Sequence, residues 1–320
     1  MTAVVEEPIL EEARQFNAEL ERLLARAPSP HTLPPEATRA ARREGRGIFP
    51  PPVFLEQARD LSVPGRDGEI RVRTLRPESG RATGIYVYVH GGGMVLGACD
   101  EQDVRLWELV EATGLAVASI DYRLAPEHPY PAGSDDCEDA AAWLLEHGPR
   151  ELGAPPALAI GGESAGAYFA AVTLLRLRDR RGVDVREAFR AANLVYGVHD
   201  QSLTPSQRNW GERYLVLSTP LIRWFGDQFL PGTAAEDRRD PDVSPLYADL
   251  RDLPPALFSV GTLDPLLDDS LFMEARWRAA GNEAELRLYP EGVHAFNYFP
   301  IGLARAANEN QFAFLRERLG

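Results

Sequence analysis

The chain has 320 residues, 44% of them apolar and 26% charged, the balance of an ordinary globular protein, so disordered and collagen-like architectures are excluded. Acidic residues outnumber basic ones 48 to 34, a net charge of −14 that leaves no basic footprint for nucleic acid. All 34 basic residues are arginine; without lysine the chain cannot build a phosphate-loop nucleotide site, a Schiff-base enzyme or a Ser-x-x-Lys hydrolase.

Met1–Pro8 carries Glu6 and Glu7 where a secretory signal would be basic and then apolar, and no apolar run reaches the length of a membrane span. A cytoplasmic chain without a membrane partner is expected. Ile9–Arg26 places Ile9, Ala13, Phe16, Leu20, Leu23 and Leu24 at helical spacing. Prolines 28, 30, 34 and 35 interrupt, and Glu36–Glu44 reads as a short second helix, so residues 1–45 form a helical segment ahead of a body over 46–320. Strands are predicted at Ile70–Leu75, Ile85–Val89, Ala116–Ile120, Ala157–Ile160, Asn193–Tyr196, Ala256–Val260 and Glu285–Leu288. Helices are predicted at Val104–Ala112, Cys137–Glu146, Ala165–Arg178, Ser270–Ala280 and Ala304–Leu319. Alternating strand and helix, with nearly continuous apolar strands from Ile85 onward, predicts an α/β fold with a mostly parallel sheet between helix layers. Gln201–Thr233 breaks the rhythm: it is rich in aromatics and leucine (Trp210, Tyr214, Leu215, Leu217, Trp224, Phe225, Phe229) and shows no strand. Such an insertion forms a lid or substrate wall, or one more packing helix. Cys99 and Cys137 are read as two buried thiols, with neither a disulfide framework nor metal-ligand spacing.

Gly162-Glu163-Ser164-Ala165-Gly166 lies between a predicted strand and a predicted helix, the setting of a nucleophile elbow. The tight turn presents the Ser164 hydroxyl at the carboxyl edge of the sheet and leaves the Ala165 N–H free at a helix start. His90-Gly91-Gly92-Gly93 directly follows Ile85–Val89. Bare glycine N–H groups there suit a developing oxyanion, with Gly92 and Gly93 donating beside Ala165 and Gly91 permitting the turn. A dinucleotide loop fails on Leu96, where a third glycine would be needed. Of six histidines, only His294 follows the last predicted strand, where the base belongs in the order Ser…acid…His. His90 is read as holding its loop and His199 as lining the site. Asp264 is the first carboxylate after Ala256–Val260, whereas Asp268 and Asp269 suit a helix start.

With Asp121-Tyr122-Arg123-Leu124-Ala125-Pro126-Glu127-His128-Pro129-Tyr130-Pro131-Ala132, Asp264-Pro265-Leu266 and Gly292-Val293-His294-Ala295-Phe296, these motifs resemble the hormone-sensitive-lipase-like branch of the α/β-hydrolases, which holds bacterial family IV carboxylesterases and arylacetamide deacetylase relatives. The resemblance covers roughly residues 50 to 320. It implies a Ser164–Asp264–His294 triad hydrolysing a small-molecule ester through an acyl-enzyme, without metal or cofactor. It also implies a cap from residues 1–45 and about 200–235, a homodimer, and a bracing role for 121–132 with no catalytic part for Asp121 or Glu127. Met94, Tyr168, Trp210 and Tyr214 are the expected pocket residues. The chain departs from the family at Glu163, where Asp is usual, at Ala167 in place of a second glycine, and at Met94, where an aromatic is frequent. Short to medium acyl chains are the expected substrates. The same triad would serve amides, acetylated small molecules and lactones. A hormone-binding homologue, by contrast, typically lacks the histidine that stands here.

Overall fold

The strand–helix alternation is present in the computed structural model, which describes residues 5–320. Residues 1–4, part of the acidic Met1–Pro8 stretch and of segment 1–45, lie outside the described residues. The strands are β1 (Arg59–Gly65), β2 (Gly68–Leu75), β3 (Ile85–Val89), β4 (Ala116–Ile120), β5 (Leu158–Glu163), β6 (Phe189–Val195), β7 (Ala256–Leu263) and β8 (Ala284–Val293). They form one sheet in the order β1-β2-β4-β3-β5-β6-β7-β8. The β1–β2 and β2–β4 pairs are antiparallel and every later pair is parallel. The helices are α1 (Glu7–Leu24), α2 (Pro35–Arg43), α3 (Asp103–Thr113), α4 (Ala132–Leu152), α5 (Ala165–Arg181), α6 (Val185–Ala188), α7 (Pro205–Asn209), α8 (Thr219–Phe229), α9 (Leu267–Ala279) and α10 (Gly302–Leu319).

β1 was not expected. It is an edge strand with Val63 as its one buried residue, so it carries no apolar run, although Asp67-Gly68 in the hairpin turn was a usable signal. α4 outgrows its expected span at both ends; near its start Asp136 accepts the Arg123 backbone N–H at 2.9 Å and its guanidinium besides.

The pleat of β3 sorts the core into two layers. Ile85, Val87 and Val89 pack with Cys137, Leu144, Phe169, Val172 and Trp277 from α4, α5 and α9. Tyr86 and Tyr88 face Leu106, Leu109, Val110, Phe314 and Leu315 from α3 and α10. Helix α5 is buried all round from Ala165 to Leu177 and ends on Arg178, Arg180 and Arg181, cations suited to a helix C-terminus, before a left-handed Gly182. The insertion is helical: α8 starts at Ser218, whose hydroxyl accepts the Leu221 N–H, and Leu221 and Ile222 pack against Leu266. Among the described residues no helix is long and apolar enough to cross a membrane. Cys99 and Cys137 are both free and buried.

Candidate active site

β5 delivers Ser164 to the carboxyl edge of the sheet at φ 56°, ψ −119°, strained for a residue with a Cβ. Its N–H is tied to Val195 O of the next strand at 2.9 Å, and helix α5 begins immediately after it. The strain is stored where β5, β6 and α5 over-determine the turn, which leaves the hydroxyl projecting.

Its partners come from the turns after β7 and β8. His294 Nε2 lies 3.0 Å from Ser164 Oγ, and His294 Nδ1 lies 2.9 Å from Asp264 Oδ2. Asp264 is buried, and its other oxygen accepts the Leu266 N–H at 2.8 Å, so the carboxylate cannot swing away. The Tyr196 ring meets the imidazole edge-on at 4.7 Å between centroids. Serine, imidazole and buried carboxylate in this relay can pass a proton from the hydroxyl to the ring while the carboxylate holds the tautomer.

The glycine loop lies alongside. A Cβ on Gly91 would come within 2.7 Å of Glu163 O and 3.5 Å of Ser164 Cβ, so the loop and the elbow are in contact. Among the described residues, the N–H groups of Gly92, Gly93 and Ala165 donate to no protein acceptor. His90 braces the loop, with Nδ1 2.9 Å from Gly91 O and its ring stacked on Tyr122 at 4.2 Å. The Tyr122 hydroxyl donates to His90 O, and Ala125 N donates to Met94 O. Arg39 of α2 reaches the same place, donating to Val95 O, Ala125 O and both Glu127 oxygens.

The expected pocket residues divide. Trp210 and Tyr214 are half-buried beside the apolar cluster that holds Tyr196 and Val293. Met94 is buried with the core at φ 64°. Tyr168 does not line a pocket: it is fully buried, edge-on to Phe169 at 5.1 Å and to Phe229 at 5.8 Å, because α5 meets protein on every side. His199 is not on the site surface either; it is fully buried, no hydrogen bond reaches either ring nitrogen, and burial pushes its imidazole down to about 3.

Three features escaped the sequence reading. Phe225 of α8 lies against Gly93, where a Cβ would strike its ring, so this aromatic walls the glycine loop. Asp269 is more than a helix-start acid. It is buried and accepts from His199 N, Asp200 N, Thr204 Oγ1 and Gln207 Nε2, while burial pushes it up to about 7 against those donors. Glu163 is buried as an ion pair with Arg105 and accepts the Tyr88 hydroxyl at 2.6 Å. The aromatic content of 201–233 pointed towards Phe225, but no local pattern could have marked the two buried acids. The open depression lined by Arg66, Asp139, Trp143 and Arg181 on the α4–α5 side includes no residue of the relay.

A family model described as the alpha/beta hydrolase fold matches residues 86–298. The chain belongs to the α/β-hydrolase family. This hydrolase is 38% identical to the carboxylic ester hydrolase LipN of Mycobacterium tuberculosis over 279 residues, 86% of this chain and 74% of that protein. It is 34% identical to the ethyl acetate hydrolase of Pseudomonas putida over 244 residues, 74% of each chain. Its fold superposes on a Pyrobaculum calidifontis esterase with TM-score 0.82 at 31% identity, covering 93% of this chain and 97% of that one. These likenesses, with that to a metagenomic hormone-sensitive lipase at TM-score 0.81 and 26% identity, covering 96% of this chain and 98% of that one, put the hydrolase in the hormone-sensitive-lipase-like esterase branch. It is an enzyme of the carboxylic ester hydrolase class.

Proposed function

We propose that this hydrolase cleaves short- to medium-chain carboxylic esters through an acyl-enzyme intermediate. Ser164 Oγ attacks the ester carbonyl as His294 takes its proton, and Asp264 fixes the tautomer and stabilises the imidazolium. The N–H groups of Gly92, Gly93 and Ala165 hold the oxyanion. His294 then protonates the leaving alcohol, and water repeats the attack with His294 again as base. The route needs no metal and no organic cofactor. The observation that carries the reading is the hydrogen-bonded relay from Ser164 through His294 to Asp264 beside three unengaged N–H groups.

Segments 1–45 and about 200–235 act as the cap, and the ring of Phe225 beside Gly93 supports a short acyl pocket. The ethyl acetate hydrolase among the relatives is named for such an ester. The site of action is the cytoplasm. The protein is a homodimer, with the open β8 edge of the sheet or the C-terminal helix α10 as the contact. Sedimentation velocity showing only monomer at micromolar concentration would exclude that assembly.

Hydrolysis of p-nitrophenyl esters from acetate to palmitate by the wild type and Ser164→Ala tests the chemistry. Turnover that peaks at short chains and vanishes in the variant is expected. Turnover that survives the substitution rejects Ser164 as nucleophile, and a peak at the longest chains rejects the substrate class.

A further inference from the structure

Behind the relay lies a polar chain, buried at Glu163, Asn297 and Tyr196 and partly buried at Arg105, Tyr298 and Asn308, that no step of the mechanism uses. It starts at Glu163, one residue before the nucleophile, which is paired with Arg105 of α3 and accepts the Tyr298 hydroxyl at 3.3 Å. The Arg105 guanidinium lies over the Tyr298 ring, 4.6 Å from its centroid, and Nη1 donates to Asn308 Oδ1 of α10 at 3.3 Å. Asn308 and Asn297 close a pair: Asn308 Nδ2 donates to Asn297 O at 3.1 Å, and Asn297 Nδ2 donates to Asn308 Oδ1 at 3.3 Å. Asn297 Oδ1 then accepts the hydroxyl of Tyr196, whose ring rests on His294. One end of the chain is covalently bonded to Ser164 and the other touches the imidazole. Arg105 is the only member on α3, and its two arms reach Glu163 on one side and Asn308 on the other.

We infer that Arg105 is a positioning residue, holding the Ser164 elbow and the His294 turn in the register at which their hydrogen bond forms; this rests on the triad reading above. The contacts at both guanidinium arms restrict this chain to few arrangements, even with Arg105 Nε buried and unpartnered, so it transmits position where an apolar contact would slide. Small misplacement of reacting groups is costly, with about 1 Å worth up to about 100-fold in rate.

The test measures kcat per competent site, counted by stoichiometric labelling with the serine-reactive reagent diethyl p-nitrophenyl phosphate. In Arg105→Met, per-site kcat on p-nitrophenyl acetate is expected to fall roughly 10- to 100-fold with KM within about twofold. Arg105→Lys keeps a cation opposite Glu163 but cannot fork, and is expected to recover part of that loss. Tyr196→Phe keeps the ring on His294 and cuts the chain at its hydroxyl; a fall of at least about threefold in per-site kcat is expected. A merely structural role would lower the number of labelled sites and leave their rate intact. A per-site kcat within about twofold of wild type in Arg105→Met, or no change in Tyr196→Phe, overturns the inference. If Arg105→Met does not fold, Tyr196→Phe decides alone. Failure of the reagent to label Ser164 in the wild type would instead overturn the triad reading, and this inference with it.

Discussion

Ser206 and Asp268 exchange hydrogen bonds: Ser206 N donates to Asp268 Oδ2 at 2.8 Å, and Asp268 N donates to Ser206 Oγ at 3.1 Å. The Ser206 hydroxyl also donates to Pro265 O at 2.7 Å, one residue from Asp264. With Asp269 gathering four donors from residues 199–207, the insertion is stapled to the turn that carries the carboxylate of the relay.

Ser206→Ala removes one side of that exchange and leaves Pro265 O and the Asp268 N–H without partners. A loss of about 1–3 kcal/mol in stability is expected, read as a lower midpoint in urea, together with weaker activity. An unchanged midpoint would mean that the staple contributes nothing net.

Asp264→Asn keeps the shape of the buried partner but lets its amide face His294 Nδ1, which favours the wrong tautomer. A fall in kcat of about 10⁴-fold is expected, with little change in folding. A fall of less than about tenfold in steady-state hydrolysis would remove Asp264 from its assigned role.

Phe225→Ala opens space beside Gly93 without touching the relay. The optimum of the p-nitrophenyl ester series is expected to move to longer acyl chains, with activity on acetate largely retained. Gly93→Ala should instead abolish activity on every ester, because φ is +61° and the added Cβ meets the Phe225 ring. An unmoved chain-length profile in Phe225→Ala would place the acyl group elsewhere.

His199 makes stability depend on acid. Burial holds its folded imidazole at about 3, below the ordinary 6.5. Between those values the unfolded chain binds the extra proton and the folded chain does not. The contribution of His199 is therefore complete above about 6.5 and is lost on acidification at about 1.4 kcal/mol per pH unit, down to about 3. Buried Asp269, pushed up to about 7, acts with the opposite sign over much of this range, so the expected readout is a difference: the stability of the wild type relative to His199→Leu, from urea unfolding at several pH values, should fall with this slope on acidification. Parallel slopes would show that other groups carry the acid sensitivity.

Ser164, the glycine loop, Asp264 and His294, which the fold brings together, each stand in a short contiguous pattern at a strand end, where local backbone geometry demands particular residues. The sheet was legible from β3 to β7 because strands buried on both faces are apolar nearly throughout, whereas β2 alternates polar and apolar residues and β8 is mostly half-buried. β1 left no such record, since one buried side chain suffices at an edge.

What the sequence determined by itself was therefore the fold class, the alternation of the core strands and helices from β2 onward, and the residues offered to the relay. Which side chains surround those residues was decided only by tertiary structure. Tyr168 and Tyr196 are both tyrosines close to the elbow, yet one is packed into the core by a helix buried all round and the other is laid on His294 by a strand end. Arg105 and Glu163 are 58 positions apart, and Phe225 and Gly93 are 132 apart. Contacts over such separations carry no local signature, because they depend on how α3, α8 and β5 are brought together by burial of apolar faces that many sequences would satisfy.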